Sequence, residues 1–419
     1  MFNKPIFIGL SPNSQAEDTR LALKLLLTPF EWQKGGQIKR LESAFEKYFQ
    51  IKLAFSFLSA RTALWAILKS LGIEKDDEVL LQAYTCVVVP NAMISLGIRP
   101  VWVDINPKTF NMDTEDLEKK ISKKAKLIMV QHTFGQAAEI EKIIEIAKKH
   151  KLLVIEDCAQ ALGAEYRGKK LGTLGDAAFF SFGRDKIISS VFGGMVITNN
   201  RRIGKRLKKI QANLPFPTKT WIFQQLLHPL VFSIIIPTYY FFSFGKILHF
   251  LLQKFNLLSR AVAEKEKAGV MPGLFFSKMP NALASLALKQ FEKLDQFNSQ
   301  RIRIAKFYEK ELKDLKSRLP EIKKDCRHVF LRYTIKTKMA EELIRFAKKE
   351  KIFLGDWYRP AIAPKGTDFK KVFYQSGSCP QAEKISAMSV NLPTHPKMTF
   401  EDAGRVANVV KKFFKEKNT

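Results

Sequence analysis

The chain of 419 residues has room for one large α/β unit with additions or for two domains, and 46% hydrophobic against 26% charged residues excludes both a disordered tail and an integral membrane bundle. A formal net charge of +30 raises anionic partners, but the lysines fall in polar doublets such as "KKISKKAK" and "KKEK" without an aromatic-interleaved basic stripe, so nucleic acid is not an expected partner. Cys86, Cys158, Cys326 and Cys379 lack C-x-x-C spacing and the six histidines form no cluster, which predicts a reduced, metal-free, intracellular protein.

The opening "MFNKPIFIGLSPNS" has no basic region followed by an apolar run and a small-residue cleavage site, so no export signal is expected and the cytoplasm is the expected compartment. From residue 52 to 199, "KLAFSFLS", "EVLLQAY", "RPVWVDI", "AKLIMVQHT", "LLVIEDCA", "AAFFSFG" and "GGMVITN" read as strands, several of them apolar on both faces. Helical patterns such as "TALWAILKSLGI" and "EIEKIIEIAKKHK" alternate with the earlier ones. This predicts an α/β domain with a mostly parallel seven-stranded sheet between helices. In such sheets ligands gather at the carboxyl ends of the strands.

Three features fall at those ends. Ser59-Ala60-Arg61-Thr62 places small residues and hydroxyls where a helix begins; the turn either caps that helix or offers N–H groups and the helix dipole to a phosphate. Glu156-Asp157, with Gln160 one helical turn later, ends an apolar strand, and a carboxylate there needs a cationic partner. Lys186 lies between apolar stretches in "FFSFGRDKIISSVFGG"; it either snorkels to solvent or is a nucleophilic amine whose pKa burial has lowered. A phosphate cradle, a buried acid and a buried amine together are what pyridoxal 5′-phosphate requires.

Further along, Trp221 to Gly245 contains no Asp, Glu, Lys or Arg. About 25 residues would suffice to cross a bilayer, yet Pro229, Pro237 and the polar side chains interrupt the helix. The stretch reads as a helix pair in a membrane interface, as a subunit interface or substrate lid, or as a span. A long amphipathic helix follows, with Leu283, Ala287, Phe291, Leu294, Phe297, Ile302, Ala305 and Tyr308 along one face. The remainder, "VFLRYTIKT", "AEELIRFAKKEK", "IFLGDWY" and "FEDAGRVANVVKKFF", predicts a small C-terminal α/β domain. The expected division is a cofactor-binding domain at 1–212, an apolar insertion at 213–272, a connecting helix over 273–315 and the small domain at 316–419.

These residues resemble the sugar aminotransferase family typified by DegT and StrS, fold-type-I pyridoxal phosphate enzymes. "EDCAQA" at 156–161, Gly175-Asp176, "SFGRDK" at 181–186 and Gly193-Gly194 are similar to that family's "EDAAQA", "GD", "SF-x-x-x-K" and "GG". "DDEVLLQAYT", "PVWVDIN" and "NLPTHPKMTFED" extend the resemblance from about residue 20 to the end, interrupted by the apolar insertion. It implies Lys186 as the Schiff-base lysine, Asp157 as partner of the pyridine nitrogen, Gln160 over the cofactor ring, and Ser181 with the Ala60-Arg61 turn on the phosphate. The family's "SGT" turn is "SAR" here, Cys86 replaces an aromatic that stacks on the cofactor, and stacking falls to Tyr84 or is absent. The family's "NYRMSE", which reaches a neighbouring subunit's site, appears as "FSKMPN". Lys278, Tyr358 and His328 are implied on the substrate side.

The implied activity is transfer of an amino group from glutamate or glutamine to the keto group of a nucleotide-diphosphate sugar, for polysaccharide, glycan or secondary-metabolite synthesis, by a cytoplasmic homodimer; the apolar insertion adds peripheral membrane contact through residues 221–255 as one expectation from its composition. A sugar dehydratase is an alternative that Lys186 argues against, since related dehydratases carry histidine there. A catalytically inactive membrane-associated homologue is the other.

Overall fold

A computed structural model describes residues 4–417. Seven strands, β1 (Leu53–Phe57), β2 (Glu78–Gln82), β3 (Arg99–Val103), β4 (Ala125–Gln131), β5 (Leu153–Asp157), β6 (Ala177–Ser181) and β7 (Gly194–Thr198), form one sheet in the order β1-β7-β6-β5-β4-β2-β3. Every neighbouring pair is parallel except those made by β7, which runs antiparallel to both β6 and β1. All five residues of β6 and of β7 are buried, because helices cover both faces. The mostly parallel seven-stranded sheet expected from the sequence is therefore present, with each strand where the pattern placed it.

The helices that position the site are α1 (Ala16–Leu26), α2 (Gln37–Phe49), α3 (Ala60–Leu71) and α4 (Arg201–Asn213). Leu41, Phe45 and Phe49 recur at four-residue spacing on α2 and are all buried; the Phe45 ring stacks on Phe291 at 4.5 Å. Helix α3 starts where the Ser59 hydroxyl accepts from Thr62 N–H at 3.2 Å and ends at Gly72, whose φ of 77° is the left-handed conformation glycine supplies at no steric cost.

The insertion folds as two antiparallel-packed helices, α5 (Lys219–Thr238) and α6 (Phe244–Lys254). Helix α5, of mean hydropathy 1.3 and 39% buried, is long and apolar enough to cross a membrane by length and composition. It is packed against α1, however, and buries Ile222, Leu226, Phe232 and Ile235. Two of its polar side chains are tied to the body: Ser11 Oγ lies 3.2 Å from His228 Nδ1, and Ser259 Oγ donates to Gln225 Oε1 at 2.6 Å. Gly245 lets α6 approach closely, since a Cβ there would stand 2.3 Å from the Ile235 carbonyl. Nothing else on α6 is buried.

Where the sequence predicts a single helix over 273–315, the chain forms α7 (Asn281–Phe291) and α8 (Leu294–Glu311). The break at Lys293 (φ −106°, ψ 11°) has a packing cause. Leu283, Leu286 and Ala287 join the core around the sheet, whereas Ile304, Ala305 and Tyr308 join a second core, and one straight helix cannot face both. That second core is completed by β8 (Tyr333–Lys336), α9 (Ala340–Lys349), β9 (Ser389–Leu392) and α10 (Phe400–Lys417), with β8 and β9 antiparallel. The start of the chain belongs to it as well. Ile6 and Phe7 pair in parallel with Ile352 and Phe353, although the sequence division assigns residues 1–212 to the large domain.

Candidate active site

A cavity of about 460 Å³ opens at the carboxyl ends of β5 and β6, roofed by residues 356–359 and 363–365 and bordered by Ala261 and Val262 from beyond the insertion. Lys186, Asp157, Gln160, Ser181, Ala60, Arg61, Cys86 and Tyr358 all line it. Most of the residues singled out from sequence are thus brought to one place.

Lys186 lies in the loop that follows β6. The loop is closed on itself by Phe182 N–H donating to the Gly193 carbonyl at 2.9 Å and Ser190 N–H donating to the Phe182 carbonyl at 3.0 Å. The Asn13 amide clamps it from outside, donating to the carbonyls of Lys186 and Ile187. Burial lowers the pKa of the Lys186 amine, and the Asp157 carboxylate opposes that shift. Its Nζ stands 5.1 Å from the centre of the Trp357 ring.

Adjacent residues of β5 face opposite sides of the sheet and have separate tasks. Asp157 turns to the cavity; its Oδ1 accepts from Ala159 N–H at 2.9 Å, and burial raises its pKa, opposed by that N–H and by Lys186. Glu156 turns away and accepts from the N–H groups of Gly172, Leu174 and Gly175 at 2.7–2.8 Å. Ala138 N–H donates to His132 Nδ1 at 3.1 Å, so the proton of the neutral ring is on Nε2, which lies 3.1 Å from Glu156 Oε2. Burial works to raise the Glu156 pKa, but His132 and the backbone donors outweigh it and the net shift is downward. Glu156 is a structural anchor for the loop at 172–175.

Gln160 is held at both ends: Oε1 accepts from Phe134 N–H at 2.9 Å and Nε2 donates to the Tyr358 hydroxyl at 2.5 Å. The α3 N-terminus meets Gly194 so closely that a Cβ on that glycine would stand 2.5 Å from Ala60 N and from the Ser59 carbonyl group. Ser181, whose Oγ accepts from Gly183 N–H at 3.3 Å, lines the same cavity.

Arg61 has a partner that the sequence did not disclose. Its guanidinium forms an ion pair with Glu266, donates to the Ala261 carbonyl at 2.9 Å and lies 4.0 Å over the Phe275 ring. Its charge is compensated by the chain itself. Arg184 is similarly engaged, donating to the carbonyl and hydroxyl of Ser259, and burial lowers its pKa to about 10. Residues 259–266 thus form a strap that grips both arginines.

Two expectations change. Tyr84 is fully buried behind the cavity, bonded to Ser389 at 2.6 Å and to the Trp357 carbonyl at 3.2 Å, so it offers no stacking face. His328 stacks on Phe330 at 3.7 Å with Nε2 3.1 Å from the Phe134 carbonyl; it lies between the two cores and burial pushes its pKa down to about 3. Lys278 donates to the Ala212 carbonyl at 2.8 Å and does not line the cavity of its own chain. Cys86 does line it, its thiol pKa raised by burial. Sequence reading missed Trp357, taken as part of a strand, and the Thr85–Gln131 pair, joined at 2.6 Å on the cavity wall. The run "GDWYRP", an aromatic pair before proline, was the available signal for the first.

The residues present fit pyridoxal phosphate. An amine with a lowered pKa, a buried carboxylate, and a helix N-terminus beside a serine hydroxyl line one cavity, as its aldehyde, ring nitrogen and phosphate require.

Comparison with known proteins agrees with this geometry. The family model described as the DegT/DnrJ/EryC1/StrS aminotransferase family matches residues 13–214 and 251–411. GDP-perosamine synthase of Caulobacter vibrioides is 30% identical over 409 residues, covering 97% of this chain and 98% of the relative. The dTDP-3-amino-3,6-dideoxy-alpha-D-galactopyranose transaminase of Aneurinibacillus thermoaerophilus is 28% identical over 90% of each chain. The crystal structure of NtdA from Bacillus subtilis with bound cofactor PMP shares the fold, with a TM-score of 0.75 and 22% identity over 99% of this chain and 86% of its own.

Proposed function

The chain belongs to the DegT/DnrJ/EryC1/StrS aminotransferase family, and on that premise we propose that it moves an amino group from glutamate or glutamine to the keto group of a nucleotide-linked sugar in glycan or secondary-metabolite biosynthesis. The observation that carries this reading is the meeting of Lys186, Asp157 and the α3 N-terminus in one cavity. Relatives named for GDP- and dTDP-linked sugars support the substrate class.

When bound, pyridoxal phosphate supplies an electron sink for the carbon that gains or loses the amino group. Lys186 is the covalent anchor, and its Nζ, kept weakly basic by burial, carries the proton to and from that carbon. Asp157, buried in the cavity wall, would pair with the ring nitrogen of the bound cofactor and hold a proton there. Ser181 and the N–H groups at the start of α3 receive the phosphate, with Arg61 fixed beside them by Glu266. Gln160, steadied by Tyr358, would contact the bound cofactor's ring. Arg359, paired with Glu341, and Lys365 line the cavity and suit a diphosphate.

The same reading makes the enzyme a cytoplasmic homodimer, with Lys278 available to a neighbouring subunit's site and residues 221–255 turned to the inner face of a membrane. Labelled glutamate offered with a panel of nucleotide keto-sugars tests the activity, and a cofactor absorbance band that disappears in Lys186→Ala tests the anchor. Failure of the reconstituted protein to show any such band would exclude the aminotransferase reading in favour of an inactive homologue. Sugar deoxygenation without amine exchange would favour the dehydratase.

A further inference from the structure

Helix α6 and the turn before it leave a large apolar surface uncovered. Phe242 is 88% exposed, Phe241 66%, Phe255 66% and Phe250 63%, with Ile247 and Phe244 also exposed between them. These residues belong to a wider cationic region. From Ile187 to Ala263 the chain contains no Asp or Glu and ten lysines and arginines. Lys246 and Lys254 on α6 and Arg260 after it are exposed beside the apolar side chains, and Lys219 at the start of α5 and most of the basic residues of α4 are exposed as well.

Three occupants of this surface are unsuited to it. A lid over the cavity would have to bury its apolar face against the site, but α6 buries only Gly245, and it is Ala261 and Val262, beyond α6, that border the cavity. Insertion of α5 as a span would break the Ser11–His228 and Ser259–Gln225 contacts and expose its packing against α1. A two-fold contact through α6, which carries Lys246 and Lys254 and no Asp or Glu, would bring cations toward their own copies with no carboxylate on the helix to offset the repulsion.

An anionic lipid surface meets both requirements, giving phenylalanines an acyl boundary and lysines a layer of negative headgroups. Deepening the membrane placement proposed above, and resting on that reading, we infer that α6 and the Phe241-Phe242 turn dock in the plane of an anionic bilayer while α5 stays packed on the enzyme. The strap follows directly. Only four residues lie between the end of α6 at Lys254 and Ser259, which holds the cavity-lining residue Arg184. Docking therefore holds the strap that borders the cavity through Ala261 and Val262 a few residues from the membrane-bound helix.

The test is co-sedimentation of the purified holoenzyme with vesicles of phosphatidylcholine alone and of phosphatidylcholine mixed with phosphatidylglycerol, with amino transfer measured on the same samples. The expected result is binding to the anionic vesicles that weakens with salt, at least about tenfold weaker partition for the double variant Phe242→Ser, Phe250→Ser, and loss of the anionic preference in Lys246→Glu, Lys254→Glu, with amino transfer in solution retained by both. No binding of the wild-type protein to phosphatidylglycerol vesicles overturns the inference. So does a larger assembly of the wild-type protein that the double serine variant disperses, since a second copy then covers the surface. Vesicle binding without amino transfer in any variant would leave the docking intact and sink the functional reading alone.

Discussion

Arg61 and Glu266 form an ion pair, with side chains 10% and 1% exposed, that joins the first turn of α3 to the strap at 259–266. Glu266 also accepts from Ala263 N–H at 2.8 Å, and its carbonyl accepts from the Asn91 amide, so the carboxylate is fixed before the arginine meets it. The pair both closes the edge of the cavity and removes a free cation from its interior.

Breaking that pair from one side strands a buried charge. Glu266→Gln is expected to destabilise the protein by about 3–5 kcal/mol, whereas the double substitution Arg61→Met, Glu266→Leu recovers most of that loss. Urea denaturation of the three proteins measures it, and a single variant within about 1 kcal/mol of wild type would mean the pair is not desolvated.

Gly194→Ala tests the close approach of β7 to the start of α3. The added methyl has 2.5 Å to Ala60 N, so the turn must move, at a cost of about 1–3 kcal/mol. Cofactor affinity is expected to fall with it, if, as proposed, the same N–H groups receive the phosphate. Equilibrium titration with pyridoxal phosphate reads the second effect independently of stability, and unchanged affinity would remove the turn from the phosphate site.

Tyr358→Phe removes only the hydroxyl that Gln160 Nε2 uses at 2.5 Å. The expected stability loss is about 0.5–1.5 kcal/mol. Since Gln160 keeps Phe134 N–H at its other end, the amide loses one of two restraints, and kcat is expected to drop more than KM rises. Unaltered kcat would show that Gln160 needs no help in holding its place.

Buried histidines give the protein an acid limit. His328 and His395 keep neutral rings down to about pH 3 in the fold because burial disfavours the charged form, while an unfolded histidine takes its proton near pH 6.5. Between those values the unfolded state binds more protons. Stability therefore falls as pH drops from about 6.5 toward 3 and is level above, with a slope of about 1.4 kcal/mol per pH unit for each ring. In His328→Phe, which leaves the Phe134 carbonyl its Leu331 N–H at 2.9 Å, the slope is expected to be shallower by one histidine. Urea midpoints at several pH values measure it, and parallel profiles for the two proteins would refute the assignment.

Strands were legible because burial on both faces writes a continuous apolar run, as in "AAFFS" and "GMVIT", and no other arrangement suits it. Lys186 and Asp157 were legible because charge at the end of such a run is costly without a purpose. What escaped depended on contacts between distant residues. Nothing local marks Glu266, 205 positions after Arg61, as its partner, nor Ser259 as the acceptor for Arg184. The break at Lys293 escaped for a related reason: the apolar stripe stays regular across it, and only the presence of two cores, not one, bends the chain there. Tyr84 and His328 carry the right chemistry for a site, but packing against Tyr358 and Phe330 placed them outside it.

The run of polar contacts from Gln225 on α5 through Ser259 to Arg184 has a practical genetic consequence. Excising residues 221–255 as a block would remove Gln225 and slacken the grip on a cavity arginine, so a truncated allele would lose turnover along with the docking helix proposed above, and its phenotype would not separate the two. Point alleles at Phe242 and Phe250 leave that thread whole, and a strain carrying them would test the exposed apolar surface separately from the cavity.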